Sequence, residues 1–261
     1  MGAYLHGYLP EEQRRLVDQA ARWREPLILR DTAFAFGSQL LEVGCGVGAV
    51  LGVLGQAFPG LALHGVDFSA AQLGFAEKHL STLGLQAELK QADALSLPYP
   101  SGRFDAIWMM WFLEHVSDPV AALKEARRVA RPGALFTAIE VDYRLLRPMQ
   151  PAPAVDYFLA RFCELFNCHG RCDTGSRLQD WLLEAGWVDV KSVPLPFDLA
   201  GDEGIGYLLA FMEPTLADMK ALPGADSALL DQGLSDFKAL AGRPGAGIRA
   251  EIHKAWARKN P

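Results

Sequence analysis

Four cysteines in 261 residues are too few, and too unevenly placed, for a disulfide scaffold. Three of them, Cys163, Cys168 and Cys172, stand near His169, but C-x4-C-H-x2-C lacks the paired C-x-x-C of a zinc knuckle, so unliganded thiols and no metal are expected. No apolar run approaches the roughly 20 residues of a membrane span. The first residues, Met1-Gly2-Ala3-Tyr4-Leu5-His6, carry neither a basic stretch nor an apolar one, which argues against a secretory leader. Lys and Arg never cluster into a run and the net charge is −6, which disfavours a nucleic-acid partner. These absences point to a cytoplasmic chain with reduced thiols. Its 50% hydrophobic and 21% charged residues suit a globular domain large enough for a sizeable core.

Glycine is abundant, and three glycines alternate in one place. Leu40-Leu41-Glu42-Val43 reads as a buried strand, Gly44-Cys45-Gly46-Val47-Gly48 as a turn, and residues 49–58 as an apolar helix. Glycine lets the backbone turn sharply and approach a ligand, and the helix start presents unpaired N–H groups. The turn also satisfies the loose dinucleotide pattern G-x-G-x-x-[GA], so a nicotinamide dehydrogenase is one reading of it.

Upstream, residues 11–24 read as a helix after Pro10, with Leu16, Val17, Ala20 and Ala21 on one face. Tyr4 and Tyr8 either pack an N-terminal segment or reach over a ligand. Downstream, residues 61–66 form a second strand ending in Asp67, about 20 residues past the glycines, where an acid can accept hydrogen bonds from a ribose diol. Ser69 to Gln72 matches a capping box, so Asp67 is not needed as a helix cap. A third strand over residues 85–91 leads into Ala92-Asp93-Ala94; Asp93 is either an adenine-amino acceptor or a turn residue. Residues 104–110 form a fourth strand running into Trp111-Phe112-Leu113-Glu114-His115. Asp118 caps a helix that starts at Pro119, and residues 134–141 make a fifth strand carrying Glu140, with Asp142 just beyond. Strands alternating with helices imply a parallel sheet with right-handed crossovers. Gly44, Asp67, Asp93, Trp111 and Glu140 all fall at strand carboxyl ends, where ligands of such sheets bind.

Met149-Gln150-Pro151-Ala152-Pro153 marks a boundary. Helices follow over residues 154–167 and 175–185, a strand over 187–193, and helices over 203–221 and 225–241. Phe158, Phe162, Phe166, Trp181 and Phe211 either form an ordinary core or line an apolar pocket. His115, Glu140 and Asp142 are candidate bases, with Tyr4 a more distant one; His115 could instead pack or cap locally, and Glu140 and Asp142 could instead bind an amine or pair with Arg144 or Arg147. Arg171 and Arg177 are either solvated or placed to hold an anionic acceptor.

Taken together, Leu41-Glu42-Val43-Gly44-Cys45-Gly46-Val47-Gly48, Gly65-Val66-Asp67-Phe68-Ser69, Gln91-Ala92-Asp93-Ala94, Leu97-Pro98, Phe104-Asp105, Phe112-Leu113-Glu114-His115-Val116 and Arg131-Pro132-Gly133 resemble a family. It is that of class I S-adenosylmethionine (SAM) methyltransferases of the small-molecule, ubiquinone/menaquinone-methyltransferase-like type. The resemblance implies an α/β, Rossmann-like sheet of seven mostly parallel strands, the last antiparallel, with helices on both faces and a helical lid. It divides the chain into an N-terminal lid over residues 1–37, a SAM-binding core over 38–148, and substrate-covering helices with the last strands over 149–261; Ala255-Trp256-Ala257-Arg258-Lys259 looks like the final strand.

By the same resemblance Gly44, Cys45 and Gly46 would hold the methionine portion of SAM, with Glu42 nearby. Asp67 would take the ribose, Phe68 and Gln72 would flank the adenine, and Asp93, between Ala92 and Ala94, would meet its amino group. Met110, Trp111 and His115 would line the passage to the methyl, with Gln19 and Tyr8 closing over the methionine end. Where relatives often read E-G-D-H after the fifth strand, this chain has Glu140-Val141-Asp142-Tyr143, so the acceptor does not transfer from the resemblance. The expected activity is methyl transfer to a small-molecule acceptor at oxygen, nitrogen or carbon. Cyclisation or rearrangement with bound SAM, a non-catalytic SAM-binding role, and the dehydrogenase are the alternatives.

Overall fold

The structure, a computed structural model, describes residue 7 and residues 9–260. Tyr4 and Tyr8, expected over the ligand, lie outside the described residues.

The chain opens with α1 (Pro10–Arg22), followed by a π-helical turn, Arg24–Ile28. Strand–helix alternation then sets in: β1 (Gln39–Val43), α2 (Ala49–Ala57), β2 (Ala62–Asp67), α3 (Ala70–Thr82), β3 (Ala87–Gln91), β4 (Phe104–Met110), α4 (Pro119–Val129) and β5 (Ala130–Val141). The signals read in the sequence act locally as expected. Ser69 Oγ accepts from the Gln72 amide at the start of α3, and the Asp118 carboxylate accepts from the Ala121 amide at the start of α4, with Pro119 in its first turn. The expected stop Arg131-Pro132-Gly133 lies inside β5, because α4 ends at Val129 and the strand begins at once, its register with β4 slipping before Ala106 pairs with Leu135.

The second half adds β6 (Arg147–Pro148), α5 (Pro153–His169), α6 (Thr174–Glu184), β7 (Val188–Ala200), α7 (Gly201–Met212), α8 (Leu216–Ala221), α9 (Ser227–Ala239) and β8 (Gly247–Arg258). The single helix expected over residues 203–221 is broken at a short 3-10 turn, Glu213–Thr215, because Pro214 has no N–H to continue the ladder.

The strands form one sheet in the order β3-β2-β1-β4-β5-β8, with β7 on the far edge of β8. β3, β2, β1, β4 and β5 run parallel, whereas β8 is antiparallel to both β5 and β7. An eighth strand, β6, exists because β8 outruns β5: pairing with β5 ends at Ile252, and Ile248 and Arg249 take Pro148 and Arg147 on the same edge. Strands of the expected core and covering segments thus share one sheet.

Both sheet faces are covered, as a parallel sheet requires. On one face Ile139 and Val141 join Leu51 and Leu54 of α2, Phe158 and Phe162 of α5 and Leu208 of α7. On the other, Phe136 and Ala138 join Leu123 and Ala126 of α4 and Trp181 and Leu182 of α6. This split of β5 into odd and even residues fixes which of its side chains reach the site.

Candidate active site

Strand order reverses between β1 and β4, and a cavity of about 760 Å3 opens there beyond the carboxyl ends of the parallel strands. Its floor is the glycine turn. Gly44, Gly46 and Gly48 all have positive φ, at 76°, 48° and 70°. A Cβ on Gly44 would fall within the Phe112 ring, and one on Gly48 would press on Ala76 at 3.1 Å, but one on Gly46 would meet nothing within 4 Å. The outer two glycines thus serve packing, while Gly46 leaves backbone bare to the cavity. Gly48 starts α2 with no side chain capping the first turn, so the amides there are open to a ligand.

Asp67 is pinned on both oxygens: Oδ2 accepts from the Gly46 amide at 2.8 Å and Oδ1 from the Ser69 amide at 2.8 Å. Burial raises its pKa; these amides and that of Phe68, with His115 nearby, act in the opposite direction. Glu42, at the end of β1, is 2% exposed, and its Oε2 has no hydrogen-bond partner among the described residues. Burial pushes its carboxyl well above the usual range, against a hydrogen bond from the Leu51 amide and with further upward pressure from Asp67. A buried, unpartnered acceptor lining a cavity suits a cationic group such as an ammonium.

The roof comes from α1 and α7. Gln13 Nε2 donates to Gln72 Oε1 at 3.0 Å, tying α1 across the glycine turn to α3. Arg15 lies in the cavity wall, bonded to Glu12 at 2.6 and 2.7 Å and to Gln19 at 2.9 Å, with Phe211 beneath its guanidinium. Gln19 donates to the Tyr207 hydroxyl at 3.1 Å. Trp23 packs edge-on against Trp111, Phe197 and Tyr207. The expected apolar face of α1 is narrower than its sequence suggests: Ala20 is buried, but Ala21 is exposed, and Glu12 and Gln13 are buried instead.

The back wall is the turn after β4. Trp111 holds φ 47°, a left-handed conformation rare for a bulky residue and costing about 1–3 kcal/mol, with its amide bonded to Ile139 O at 2.9 Å. The turn is fixed from behind by Glu140, whose Oε1 accepts from the Phe112 and Leu113 amides at 2.9 and 2.8 Å. Glu140 is fully buried; burial first, then repulsion from Glu114, carries its carboxyl well above the usual range, against the amides it accepts.

The structure brings most of the expected cofactor residues together: Gln19, Glu42, Gly44, Cys45, Gly46, Asp67, Phe68, Gln72, Met110, Trp111 and His115 all line the cavity. Ala92, Asp93 and Ala94 do not. Asp93 closes its own turn, Oδ1 accepting from the Leu95 amide at 2.9 Å, while Ala92 donates to Asp67 O.

Glu140 and Asp142, expected as bases facing the acceptor, are corrected on placement. Strand alternation sends them away from the cavity and puts Val141 and Tyr143 into it. Asp142 is held by Arg144 at 3.0 and 2.7 Å and by Ser176; burial opposes its ionisation, but these partners outweigh burial and hold its carboxyl below the ordinary value. Arg171 and Arg177, expected at an anionic acceptor, are exposed beside Trp181 outside the cavity, and Arg171 Nη2 donates to Ser117 O at 3.2 Å. Of the five aromatics weighed as a pocket, Phe211 alone lines it; Phe158, Phe162 and Phe166 fill the core of that face and Trp181 that of the other.

Sequence reasoning passed over Arg15, Glu114, Tyr143 and Tyr207. Arg15 stands four residues before Gln19, one helical turn away, which was a usable signal. Tyr143 follows from alternation once the phase of β5 is known. Tyr207 had no such signal.

A methyltransferase domain model matches residues 41–138. The chain is 27% identical over 226 residues to the ubiquinone biosynthesis O-methyltransferase of Methylococcus capsulatus, covering 83% of this chain and 94% of that one. It is 26% identical over 182 residues to norajmaline N-methyltransferase of Rauvolfia serpentina, covering 68% and 61%. Among solved structures, a SAM-dependent methyltransferase from Aquifex aeolicus superposes with a TM-score of 0.57 at 16% identity, over 96% of this chain and 98% of that one. Sheet order, switch-point cavity and domain match define a class I, Rossmann-like methyltransferase. The chain carries a methyltransferase domain and is a SAM-dependent methyltransferase, similar to small-molecule enzymes that include those of quinone biosynthesis. The site fits the cofactor on its own terms: an unpartnered buried carboxylate at Glu42, bare backbone at Gly46 and an amide-held carboxylate at Asp67.

Proposed function

We propose that the chain methylates a hydroxyl of a largely apolar, aromatic small molecule, with His115 taking the hydroxyl proton. The observation that carries this reading is the lining of the cavity: Trp23, Trp111, Tyr143, Tyr207 and Phe211 supply its broad walls, and His115 with Glu114 supplies acid–base chemistry beside them. A hydroxyl must lose its proton as it becomes a nucleophile, and an imidazole titrates in the right range. The O-methyltransferase name of the relative covering most of this chain supports the choice of oxygen.

In this reading Glu42 faces the methionine ammonium and Arg15 its carboxylate. Asp67 takes the ribose hydroxyls, and Phe68 and Gln72 lie along the adenine toward Asp93. SAM supplies an activated sulfonium methyl, so the protein needs only to align the acceptor, exclude water and remove a proton. Trp111, set by its left-handed backbone, and Tyr143 hold the acceptor ring; α1 and α7 close the site to water. The acceptor is free in solution rather than part of a nucleic acid, in keeping with the net charge of −6. A cytoplasmic setting is part of this proposal; among the described residues no helix is long and apolar enough to cross a membrane.

The test is turnover of methyl-labelled SAM with matched aromatic alcohols, amines and carbon acids. Label on a ring hydroxyl together with S-adenosylhomocysteine is the expected result, and His115→Ala lowers kcat by about 100-fold or more. Label on amines alone, or release of methylthioadenosine, would replace this reading.

A further inference from the structure

Glu114 stands beside the proposed base. It is 3% exposed, lines the cavity, and places Oε1 3.4 Å from His115 Nε2, while its Oε2 has no hydrogen-bond partner among the described residues. Its backbone is anchored separately, since Glu114 O accepts from the Arg171 amide at 2.9 Å. The side chain is therefore not needed to hold the turn, a task already carried by Glu140 through the Phe112 and Leu113 amides. A carboxylate removed from water without full compensation is costly, and an imidazolium next to it is the natural compensation.

We propose that Glu114 is a positioning residue for His115, accepting from Nε2–H so that the basic lone pair falls on Nδ1, and stabilising the imidazolium that forms when the acceptor gives up its proton. This deepens the methyl-transfer reading and rests on His115 being the base. The neighbouring charges are consistent with it. Glu140 lies behind Glu114 on β5, and burial together with repulsion from Glu114 holds the Glu140 carboxyl well above its usual range. Asp67 at the end of β2 interacts favourably with protonated His115. From α5, the Phe166 ring packs on the imidazole at 5.8 Å between centroids and His169 stands at the cavity wall; Arg171 turns its guanidinium away to Ser117 O. The balance of charge around His115 is thus anionic, and Glu114 is the nearest contributor in the ion pairs of this site.

The experiment is a pH titration of the His115 ring by 15N-detected NMR in the full chain, which needs neither acceptor nor turnover. Glu114→Gln is expected to lower the His115 pKa so that its protonation constant falls about tenfold, and to shift the Nε2–H tautomer signal. Glu114→Asp, which withdraws the carboxylate by one methylene, gives an intermediate value and serves if the Gln variant fails to fold. Glu140→Gln leaves the His115 titration in place. An unchanged His115 titration in a folded Glu114 variant overturns the proposal, as does a shift in Glu140→Gln as large as in Glu114→Gln. In turnover, the acid limb of kcat moves down in Glu114→Gln while S-adenosylhomocysteine affinity holds within about threefold; an unmoved limb argues against the proposal. Should no hydroxyl acceptor be found, the ring titration still decides the pairing, so the two readings fail separately.

Discussion

Two glycines two positions apart have different tasks. Gly44 and Gly46 both hold a left-handed backbone, so alanine costs about 1–2 kcal/mol at either on conformation alone. Only at Gly44 does the methyl also strike a ring, that of Phe112 in the turn carrying Glu114 and His115. Gly44→Ala should therefore lower Tm well beyond the conformational cost. Gly46→Ala should cost little beyond it, yet weaken S-adenosylhomocysteine at least tenfold by filling the one bare spot on the cavity floor. Calorimetry and thermal melts on the pair separate the effects, and equal losses of affinity at equal stability would contradict the assignment. The buried acids allow a second test. Glu42 and Glu140 have raised pKa values in the folded state, caused first by burial. The unfolded chain gives up these protons at lower pH than the native state does, so their contribution is fully present below the ordinary value of about 4.5 and is lost as pH rises beyond it. In Glu140→Gln, Oε1 still accepts from the turn and no charge forms. The Tm difference between variant and wild type should grow in the variant's favour from about pH 4.5 upward; a flat difference would mean Glu140 does not titrate as its burial dictates.

At the level of elements, the sequence spoke clearly wherever one local rule was enough. The glycine turn, the Ser69 and Asp118 caps and the alternation of strands with helices were all readable, and the switch point followed from them. The phase of β5 was not readable, because residues 134–141 are almost uniformly apolar and a strand buried on both faces shows no inside and outside. On that phase turns whether Glu140 and Asp142, or Val141 and Tyr143, reach the cavity. The length of β8 was equally hidden: its first half pairs with β7, a partner remote in sequence. The π-turn after α1 had no signal at all, and its anchor lies more than two hundred residues away. Lys254, in β8, is fully buried and donates to Leu27 O at 2.7 Å, Ile28 O at 3.3 Å, Thr32 Oγ1 at 3.0 Å and also to Arg30 O. It fastens the C-terminal end of the lid to the sheet. Lys254→Met keeps the bulk and strands these acceptors, which should cost on the order of 3 kcal/mol and several degrees in Tm. Burial lowers the Lys254 pKa to about 8, so between about pH 8 and the ordinary 10.5 the unfolded chain holds a proton that the native state has released, and stability from this group rises with pH. The methionine variant should lack that rise. A melt series across this range checks both the drop and the missing slope.

Across the whole molecule, the cavity is the place where distant parts of the chain meet. β1, β2, β4 and β5 supply its floor and back, α1 and α7 its roof, and Ala250 and Ile252 of β8 its side. Gln13 to Gln72 joins lid to core with a neutral hydrogen bond, while Gln19 to Tyr207 and the exposed Arg22–Glu203 ion pair join lid to covering helix, each worth about 1 kcal/mol or less. Such a roof is held far more weakly than the sheet it covers, whose strands carry the core of both faces. A cofactor bound beneath it touches all of these parts at once and should couple them. At about 100 times its Kd, S-adenosylhomocysteine stabilises the native state by about 2.7 kcal/mol through mass action. The distribution of that gain is the stronger prediction. Hydrogen exchange should slow most in α1, in the glycine turn and in residues 111–115. It should change little in α9, which packs against α5 on the side away from the ligand: Phe237 meets Phe158, and Gly233 abuts Ala154. NADH, which the loose glycine pattern alone would admit, should leave the exchange map unchanged. Protection spread evenly over the chain would show that the ligand acts only on global unfolding, and that the lid is as firmly fixed as the sheet without it.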